Sequence, residues 1–213
     1  MSAYTFDKLV QFVPEELDRI YKAAFGYKTD GTFVEVGAYD GRTYSHTCGL
    51  ADMGWRGVYV EPVPEIAAKC LKNHESNPKI TVVEVAAGAT FGRIPLYIDR
   101  FSCCGSTTNP VVCKNPEMLR VEVMPLDYIL ECAEISPAFD LLSIDVEFGE
   151  VAVLSGFTVK RWLPKMIMIE LCETLGGEKQ EWAEPARAMC KEMFEPLGYK
   201  IVHSDKLNNI YVR

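Results

Sequence analysis

The stretch FVEVGAYDGRTYSHT, residues 33–47, decides the fold. Its first residues are mostly apolar and favour β-structure, which predicts a buried strand, and the glycines that follow predict a turn before a helix. In an open parallel sheet, ligands bind at the carboxyl ends of the strands, near the point where the strand order reverses. Two acids, Glu35 and Asp40, lie beside the glycines of this turn, whereas a turn built for phosphates would avoid negative charge.

Predicted strands and helices alternate on both sides of this stretch. The predicted strands are residues 31–37, 57–62, 79–88, 93–98, 119–125, 139–147, 164–173, 199–205 and 208–213. The predicted helices are residues 12–26, 42–54, 64–75, 126–134 and 181–198, with a further helix after residue 147. This alternation indicates an α/β fold with a mostly parallel sheet covered by helices on both faces. The last two strands lack room for a helical crossover, so we expect them to form an antiparallel hairpin.

The composition indicates one folded domain over residues 1–213, with residues 1–30 as an N-terminal helical extension. The formal net charge of −8 disfavours a protein that binds nucleic acid through general phosphate contacts. No apolar run is long enough to span a bilayer and no signal peptide is visible, so we expect a cytoplasmic protein with no membrane partner. The eight cysteines form no CxxC pair, and we expect mostly buried, reduced thiols and no structural metal site.

The segment 99–117 has little periodicity. Ordered loops of this length within compact domains tend to be lids or binding loops. We therefore expect this segment to contribute to the substrate site.

The spacing of the glycines disfavours a dinucleotide. Gly37 and Gly41 are separated by three residues, and Tyr39 stands where the motif G-x-G-x-x-G has the glycine that admits a pyrophosphate. Carboxylates would repel a pyrophosphate and attract a cation. S-adenosylmethionine has no phosphate and carries an ammonium and a sulfonium, so the acids favour this cofactor over NAD.

Glu61 is the second cofactor signal. It ends the predicted strand GVYVEP, twenty residues after Gly41. An acid at the end of the second strand can accept hydrogen bonds from both ribose hydroxyls. Together with the glycine turn, this acid indicates a nucleoside-binding site.

The segment FVEVGAYDGRTYSHTCGLADMGWRGVYVEP, residues 33–62, resembles the cofactor half of an FkbM-type methyltransferase. One branch of that family reads D-G-x-x-x-S-N-T, then an aliphatic helix, then G-W-x-G-x-x-x-E-P. The resemblance continues through VEVMPLDYIL, FDLLSIDVEFGEVAVLSGF and PKMIMIEL, and covers residues 31–213. It implies the seven-stranded class I methyltransferase sheet with a terminal antiparallel hairpin. The implied activity is methyl transfer from S-adenosylmethionine, typically to a hydroxyl of a sugar or another small metabolite.

The resemblance also implies site residues. The cofactor residues it implies are Glu35, Gly37, Ala38, Tyr39, Asp40, Gly41, Glu61, Pro62, Ala87, Gly88 and Asp145. The glycine turn would line the methionine end, Ala87 and Gly88 would border the adenine, and Asp145 would face the methyl group. The sequence departs from the family at two places. His46 replaces the asparagine of S-N-T, and DVEFGE replaces D-x-E-G-x-E.

Four residues are candidates for the chemistry of methyl transfer. Asp145, Glu147 and Glu170 end predicted neighbouring strands on one edge of the sheet. They could remove the proton of the acceptor hydroxyl, or could bind a divalent cation that lowers its pKa. His46 follows the glycine turn and has an ordinary pKa that suits a general base.

Two other function classes stay open at this point. An NAD-dependent oxidoreductase fits the alternation and Glu61 but not Tyr39 or the acids. A catalytically inactive binding or scaffold protein of the same fold fits the departures at His46 and DVEFGE. The sequence names a small-molecule acceptor only as a class, and it leaves homodimer formation open.

Overall fold

The computed structural model describes residues 17–26, 28–98, 106–107, 117–171, 174–175, 178–179 and 183–213. The helices are α1 (Leu17–Phe25), α2 (Cys48–Asp52), α3 (Pro64–Asn73), α4 (Leu126–Cys132), α5 (Glu150–Ser155), α6 (Val159–Trp162) and α7 (Ala183–Phe194), and a 3-10 turn (Glu195–Leu197) follows α7. The strands are β1 (Thr32–Val36), β2 (Arg56–Val60), β3 (Ile80–Val83), β4 (Ala86–Gly88), β5 (Gly92–Ile98), β6 (Ser106–Thr107), β7 (Glu117–Pro125), β8 (Leu141–Ile144), β9 (Met166–Glu170), β10 (Thr174–Leu175), β11 (Glu178–Lys179), β12 (Lys200–Ser204) and β13 (Asn208–Val212). The predicted segment 99–117 lies mostly outside the described residues. None of the helices that the structure describes has the length and apolar character needed to cross a membrane.

The main sheet has seven strands in the order β12-β13-β9-β8-β1-β2-β3. Strands β9, β8, β1, β2 and β3 pair in parallel, and β13 runs antiparallel to both β9 and β12. This arrangement confirms the predicted mostly parallel sheet and its C-terminal hairpin. Chain order reverses between β1 and β8, so the carboxyl ends of these two strands form the switch point where ligands are expected.

Apolar side chains of the parallel strands pack on both faces of the main sheet. Val34 and Val36 of β1 pack in a cluster with residues of α4, α5 and α7. Phe33 lies on the opposite face, in a cluster that contains Leu17 and Tyr21 of α1. The predicted helical cover of both faces is therefore confirmed among the described residues, and α1 is part of it.

The predicted strand 79–88 was wrong as a single element. It divides into β3, which completes the main sheet, and β4, which starts a second sheet of order β4-β7-β5-β6. The chain turns between them, where the N–H of Val85 donates to the carbonyl of Val83 at 3.0 Å. The second sheet has its own apolar cluster, in which Leu96 and Ile98 of β5 pack against Val123 of β7. This cluster explains why the apolar run continues through the turn.

The predicted helix 42–54 was too long. Helix α2 begins only at Cys48, and residues 42–47 form an irregular loop. Polar groups of this loop bind the carboxylate of Glu35, as described below, and these bonds replace helical ones.

Candidate active site

The described residues enclose a cavity of about 500 Å³ at the carboxyl ends of the parallel strands. Its walls come from the segment after β1, the end of β2, strand β4, the segment after β8 and the end of β9. The lining residues of the second sheet, Ile94, Leu96 and Val123, give the cavity an apolar side. The cavity therefore lies at the switch point, between the two sheets.

The glycine turn forms the part of the wall that follows β1. Gly37 has φ +83°, and a Cβ built on it would lie 1.6 Å from the backbone oxygen of Asp145. Glycine is needed here because the turn passes directly against the end of β8. The N–H of Gly37 also donates to the carbonyl of Val60 at 2.9 Å. This one residue thus fixes the ends of β1, β2 and β8 relative to each other.

Asp40 and Gly41 lie behind this wall and are not among the residues that line the cavity. Oδ1 of Asp40 accepts from the N–H of Arg42 at 2.9 Å and of Thr43 at 2.7 Å, so its carboxylate organises the loop. Gly41 has φ +68°, and a Cβ on it would lie 2.6 Å from Sγ of Cys70 in α3. The structure gives both residues a role in shaping the loop and places neither at the cavity surface.

Glu61 directly follows β2 and is only 3% exposed. Its Oε2 accepts from the N–H of Tyr39 at 3.0 Å, and its Oε1 accepts from the N–H of Val63 at 2.9 Å. Burial raises the pKa of this carboxyl to about 7, although the two N–H donors favour the charged form. Each oxygen keeps a further lone pair, so Glu61 can accept additional hydrogen bonds from a ligand in the cavity.

Glu35 is buried at the base of the cavity and binds the loop 42–47. Ser45 Oγ donates to its carboxylate at 2.8 Å, the N–H of His46 at 2.9 Å and Thr47 Oγ1 at 2.6 Å. Burial raises the pKa of Glu35 to about 7, and these three donors oppose the rise. The carboxylate therefore anchors the loop through charge-assisted hydrogen bonds.

His46 is 3% exposed and does not line the cavity. Its Nδ1 lies 3.1 Å from Oγ of Ser143 in β8, and its carbonyl accepts from the hydroxyl of Tyr21 at 3.0 Å. The structure thus places this candidate base in a buried network that joins α1, the loop and β8, behind the cavity-lining residue Glu35.

Three carboxyl groups lie together where the chain leaves β8 and where β9 ends. Asp145, Glu147 and Glu170 each offer an oxygen, and these oxygens lie within 4.8 Å of one another. Burial and the neighbouring carboxylate of Asp145, which hydrogen-bonds to Glu170, raise the pKa of Glu170 well above its ordinary value. Two such carboxyl groups can share one proton, so one oxygen of the pair stays available to accept a second proton.

The turn after β8 carries these groups on an unusual backbone. Glu147 has φ +50° and Phe148 has φ +79°, and both residues line the cavity. Glu150 at the start of α5 is buried, and its carboxylate accepts from the backbone N–H groups of Val146 and Phe148. Burial raises the pKa of Glu150 to about 7. Sequence reasoning missed the contribution of Glu150, although an acid directly before an apolar helix is a signal for such a contact.

A family model described as the methyltransferase FkbM domain matches residues 35–201. The chain belongs to this methyltransferase family. The match runs from Glu35 in β1 to strand β12, and it includes every residue that lines the cavity except Leu207. None of the curated proteins matches the sequence.

Solved structures share the fold at low sequence identity. A methyltransferase FkbM from Methylobacillus flagellatus KT superimposes with a TM-score of 0.55 at 17% identity, over 87% of this chain and 44% of that one. Monomeric WbdD superimposes with a TM-score of 0.51 at 15% identity, over 93% of this chain and 41% of its own length. Fibrillarin from Aeropyrum pernix, in complex with natively bound S-adenosyl-L-methionine, has a TM-score of 0.51 at 11% identity, over 91% of this chain and 72% of its own. The chain spans less than half the length of the first two proteins, and the likenesses show the class I methyltransferase fold.

The cavity of this FkbM-family chain includes most of the residues that the sequence singled out. The predicted residues that line it are Glu35, Gly37, Ala38, Tyr39, Glu61, Pro62, Ala87, Gly88, Asp145, Glu147 and Glu170. Those that do not line it are Asp40, Gly41 and His46. The sequence analysis did not single out Tyr44 or Phe148 as site residues, nor the apolar side formed by the second sheet. The alternation of Ile94, Leu96 and Ile98 was the available signal for that side.

Proposed function

We propose that the chain uses S-adenosylmethionine to methylate a hydroxyl of a small metabolite, such as a sugar. The observation that carries the proposal is the cavity at the switch point. The buried acid Glu61 follows β2 in the cavity wall, and three carboxyl groups lie together at the ends of β8 and β9. A fold neighbour of known ligand content holds S-adenosylmethionine natively, which agrees with the charge pattern of this cavity.

The residues present fit this cofactor. Glu61 has lone pairs free to accept from ribose hydroxyls, and Ala87, Gly88 and the apolar side provide a surface for a purine. The cavity volume of about 500 Å³ lies within the range of small-molecule sites. Five of the described lining residues are acids, and none is basic. This charge favours a ligand that carries a sulfonium and an ammonium.

The bound cofactor would supply an electrophilic methyl group on a good leaving group. The carboxyl groups of Asp145, Glu147 and Glu170 would orient the acceptor hydroxyl and take its proton as the bond between oxygen and the methyl carbon forms and the carbon–sulfur bond breaks. Asp145 is the first candidate for the proton acceptor, because its hydrogen bond with Glu170 lets that neighbour hold the shared proton. Glu147 is the third carboxyl group of this cluster. A divalent cation held by the same three oxygens is the alternative way to lower the pKa of the hydroxyl.

Binding and transfer can be tested separately. Thermal-shift and calorimetric titrations should show binding of S-adenosylmethionine and S-adenosylhomocysteine and no binding of NAD. A screen with radiolabelled S-adenosylmethionine against sugars and other hydroxylated metabolites should then find an acceptor. Binding of the cofactor without transfer to any acceptor would favour an inactive binding protein, and binding of NAD alone would favour an oxidoreductase.

A further inference from the structure

The turn after β8 places an aromatic side chain where the backbone favours glycine. Phe148 has φ +79° and follows Glu147, which has φ +50°. The adjacent residue is a glycine, Gly149, but its φ of −98° is open to any residue. A left-handed conformation costs free energy for a residue with a Cβ, and the cost is larger for a bulky one.

Neighbouring groups hold the turn in this conformation. The buried carboxylate of Glu150, the first residue of α5, accepts from the N–H groups of Val146 and Phe148 and so ties the turn to the start of that helix. A Cβ on Gly149 would lie 3.2 Å from Cγ2 of Val146, a tight contact that would require the valine side chain to shift slightly. Such strain persists only where surrounding contacts fix it, and it is concentrated at binding sites.

Phe148 lines the same cavity as the three residues that carry these carboxyl groups. Among the described lining residues, no lysine, arginine or histidine is available to bind a phosphate or a carboxylate. The acids would repel an anionic acceptor. A carboxylate can instead accept hydrogen bonds from hydroxyls, and an aromatic ring packs against an apolar face.

We propose that Phe148 is an acceptor-binding, specificity-determining residue and that the acceptor is an uncharged hydroxylated ring. The apolar face of the acceptor ring packs on the phenyl ring of Phe148. The hydroxyls of the acceptor reach the carboxyl groups of Asp145, Glu147 and Glu170. The proposal rests on the proposed methyltransferase function, and it adds the charge class of the acceptor and the residue that contacts it.

The backbone strain at Phe148 can be tested without an activity assay, by comparing the melting temperatures of two variants at this position. Phe148→Gly and Phe148→Ala both remove the ring, so the difference between them reports the backbone. Because glycine accepts a left-handed conformation, Phe148→Gly should melt about 2–4 °C above Phe148→Ala. Val151 in α5 is the control, since there the alanine variant should melt above the glycine variant. If alanine is also the more stable variant at position 148, the strain does not exist.

The binding role is tested with acceptors of different charge. We expect transfer to neutral sugars and not to sugar phosphates or uronic acids. Phe148→Leu and Phe148→Ala should raise KM for the neutral acceptor about tenfold or more, with the Kd for S-adenosylhomocysteine changed less than twofold. The Val151→Ala variant should keep the KM of the original chain.

The outcomes separate the two proposals. Transfer only to sugar phosphates or uronic acids, or an unchanged KM in both Phe148 variants, would overturn this inference and leave the methyltransferase function standing. If S-adenosylhomocysteine does not bind, or no acceptor of any charge is methylated, the proposed function fails and this inference fails with it.

Discussion

Three buried carboxyl groups in or next to the cavity wall share a pKa that is raised by burial. Burial raises the pKa of each of Glu35, Glu61 and Glu150 to about 7. Each carboxylate also accepts hydrogen bonds from backbone N–H groups of a loop or turn in the cavity wall. These hydrogen bonds hold the walls of the cavity in place. Perturbed carboxyl groups concentrated in one cleft are typical of functional sites.

Glu61 gives a direct test of the cofactor side. Glu61→Gln keeps the shape of the side chain and one oxygen acceptor but removes the charge. It should weaken binding of S-adenosylhomocysteine by about 1–3 kcal/mol, because charge-assisted bonds to the ribose are lost. Isothermal titration calorimetry measures this change. The exposed Glu84 is a suitable control, and Glu84→Gln should bind normally. Equal affinities of the two variants would remove Glu61 from the cofactor site.

Asp145 gives the test of the chemistry. Asp145→Asn preserves the shape of the side chain and removes the proton acceptor, so turnover should fall by about 10²-fold or more. Cofactor affinity should change much less. The comparison requires the acceptor identified by screening, and single-turnover rates would separate chemistry from product release. A wild-type rate in this variant would transfer the role to Glu147 or Glu170.

Chelation distinguishes the two versions of this chemistry. If a cation lowers the pKa of the acceptor hydroxyl, EDTA should abolish turnover and added Mg²⁺ or Mn²⁺ should restore it. If the carboxyl groups act directly, as we expect from the hydrogen bond between Asp145 and Glu170, EDTA should leave turnover unchanged.

At the scale of elements, sequence pattern predicted what periodicity can encode. The alternating strands and helices, the switch point and the terminal hairpin follow from apolar runs separated by turns. The irregular loop 42–47 could not be predicted in this way, because its residues have a pattern that favours a helix. Only the folded structure shows that Glu35 accepts hydrogen bonds from Ser45 and Thr47. These bonds join residues ten and twelve positions apart, which local propensity does not include.

The residues of the cavity also divide into those that the sequence could predict and those that it could not. Glu61 and the glycine turn were predictable, because a strand end followed by a turn places them at one edge of the sheet. The left-handed backbone of Phe148 and the division of residues 79–88 between two sheets were not. The first departs from the backbone conformation that a phenylalanine ordinarily favours, and the second depends on pairing with β7, which lies far along the chain.

The start of β8 is fixed by a buried carboxylate that pairs with two partly exposed lysines, and this arrangement offers an element-scale prediction. Asp140 is buried and accepts from Nζ of Lys28 at 2.8 Å, from Nζ of Lys165 at 2.7 Å and from the N–H of Thr32. These donors hold the pKa of Asp140 below its ordinary value, although burial opposes them. The carboxylate thus ties β1, β8 and the segment before β9 together at the edge of the sheet opposite the cavity.

Asp140→Asn should lower the free energy of unfolding by about 1–2 kcal/mol, since the charge is lost but one oxygen still accepts from Thr32. Asp52 pairs with Arg42 at the surface, and Asp52→Asn should change the free energy by less than about 0.5 kcal/mol. Urea titrations of the three proteins measure both values. Similar stabilities for the two variants would show that the Asp140 pair does not secure β8.

At the scale of the whole molecule, the buried acids predict how stability depends on pH. The ordinary pKa of a glutamate is 4.5, and in the folded protein those of Glu35, Glu61 and Glu150 are about 7. Below pH 4.5 all three are protonated in both states. Between pH 4.5 and 7 the unfolded chain releases protons that the folded chain keeps, so the free energy of unfolding falls as the pH rises. Above pH 7 the loss is complete.

Urea denaturation between pH 5 and 8 should therefore show stability decreasing with pH, by about 1–3 kcal/mol for each carboxyl group. Glu150→Gln cannot ionise, so this variant should show a smaller decrease than the original chain, and the two curves should converge toward pH 5.

Asp140 acts in a different window, because its lowered pKa contributes stability that is lost only as the pH falls below about 4. S-adenosylhomocysteine at saturating concentration should reduce the decrease further, since ribose hydroxyls that donate to Glu61 favour its charged form. A stability that stays constant or rises from pH 5 to 8 would show that these carboxyl groups are ionised in the folded protein throughout this range. The account of how burial shapes the cavity would then be wrong.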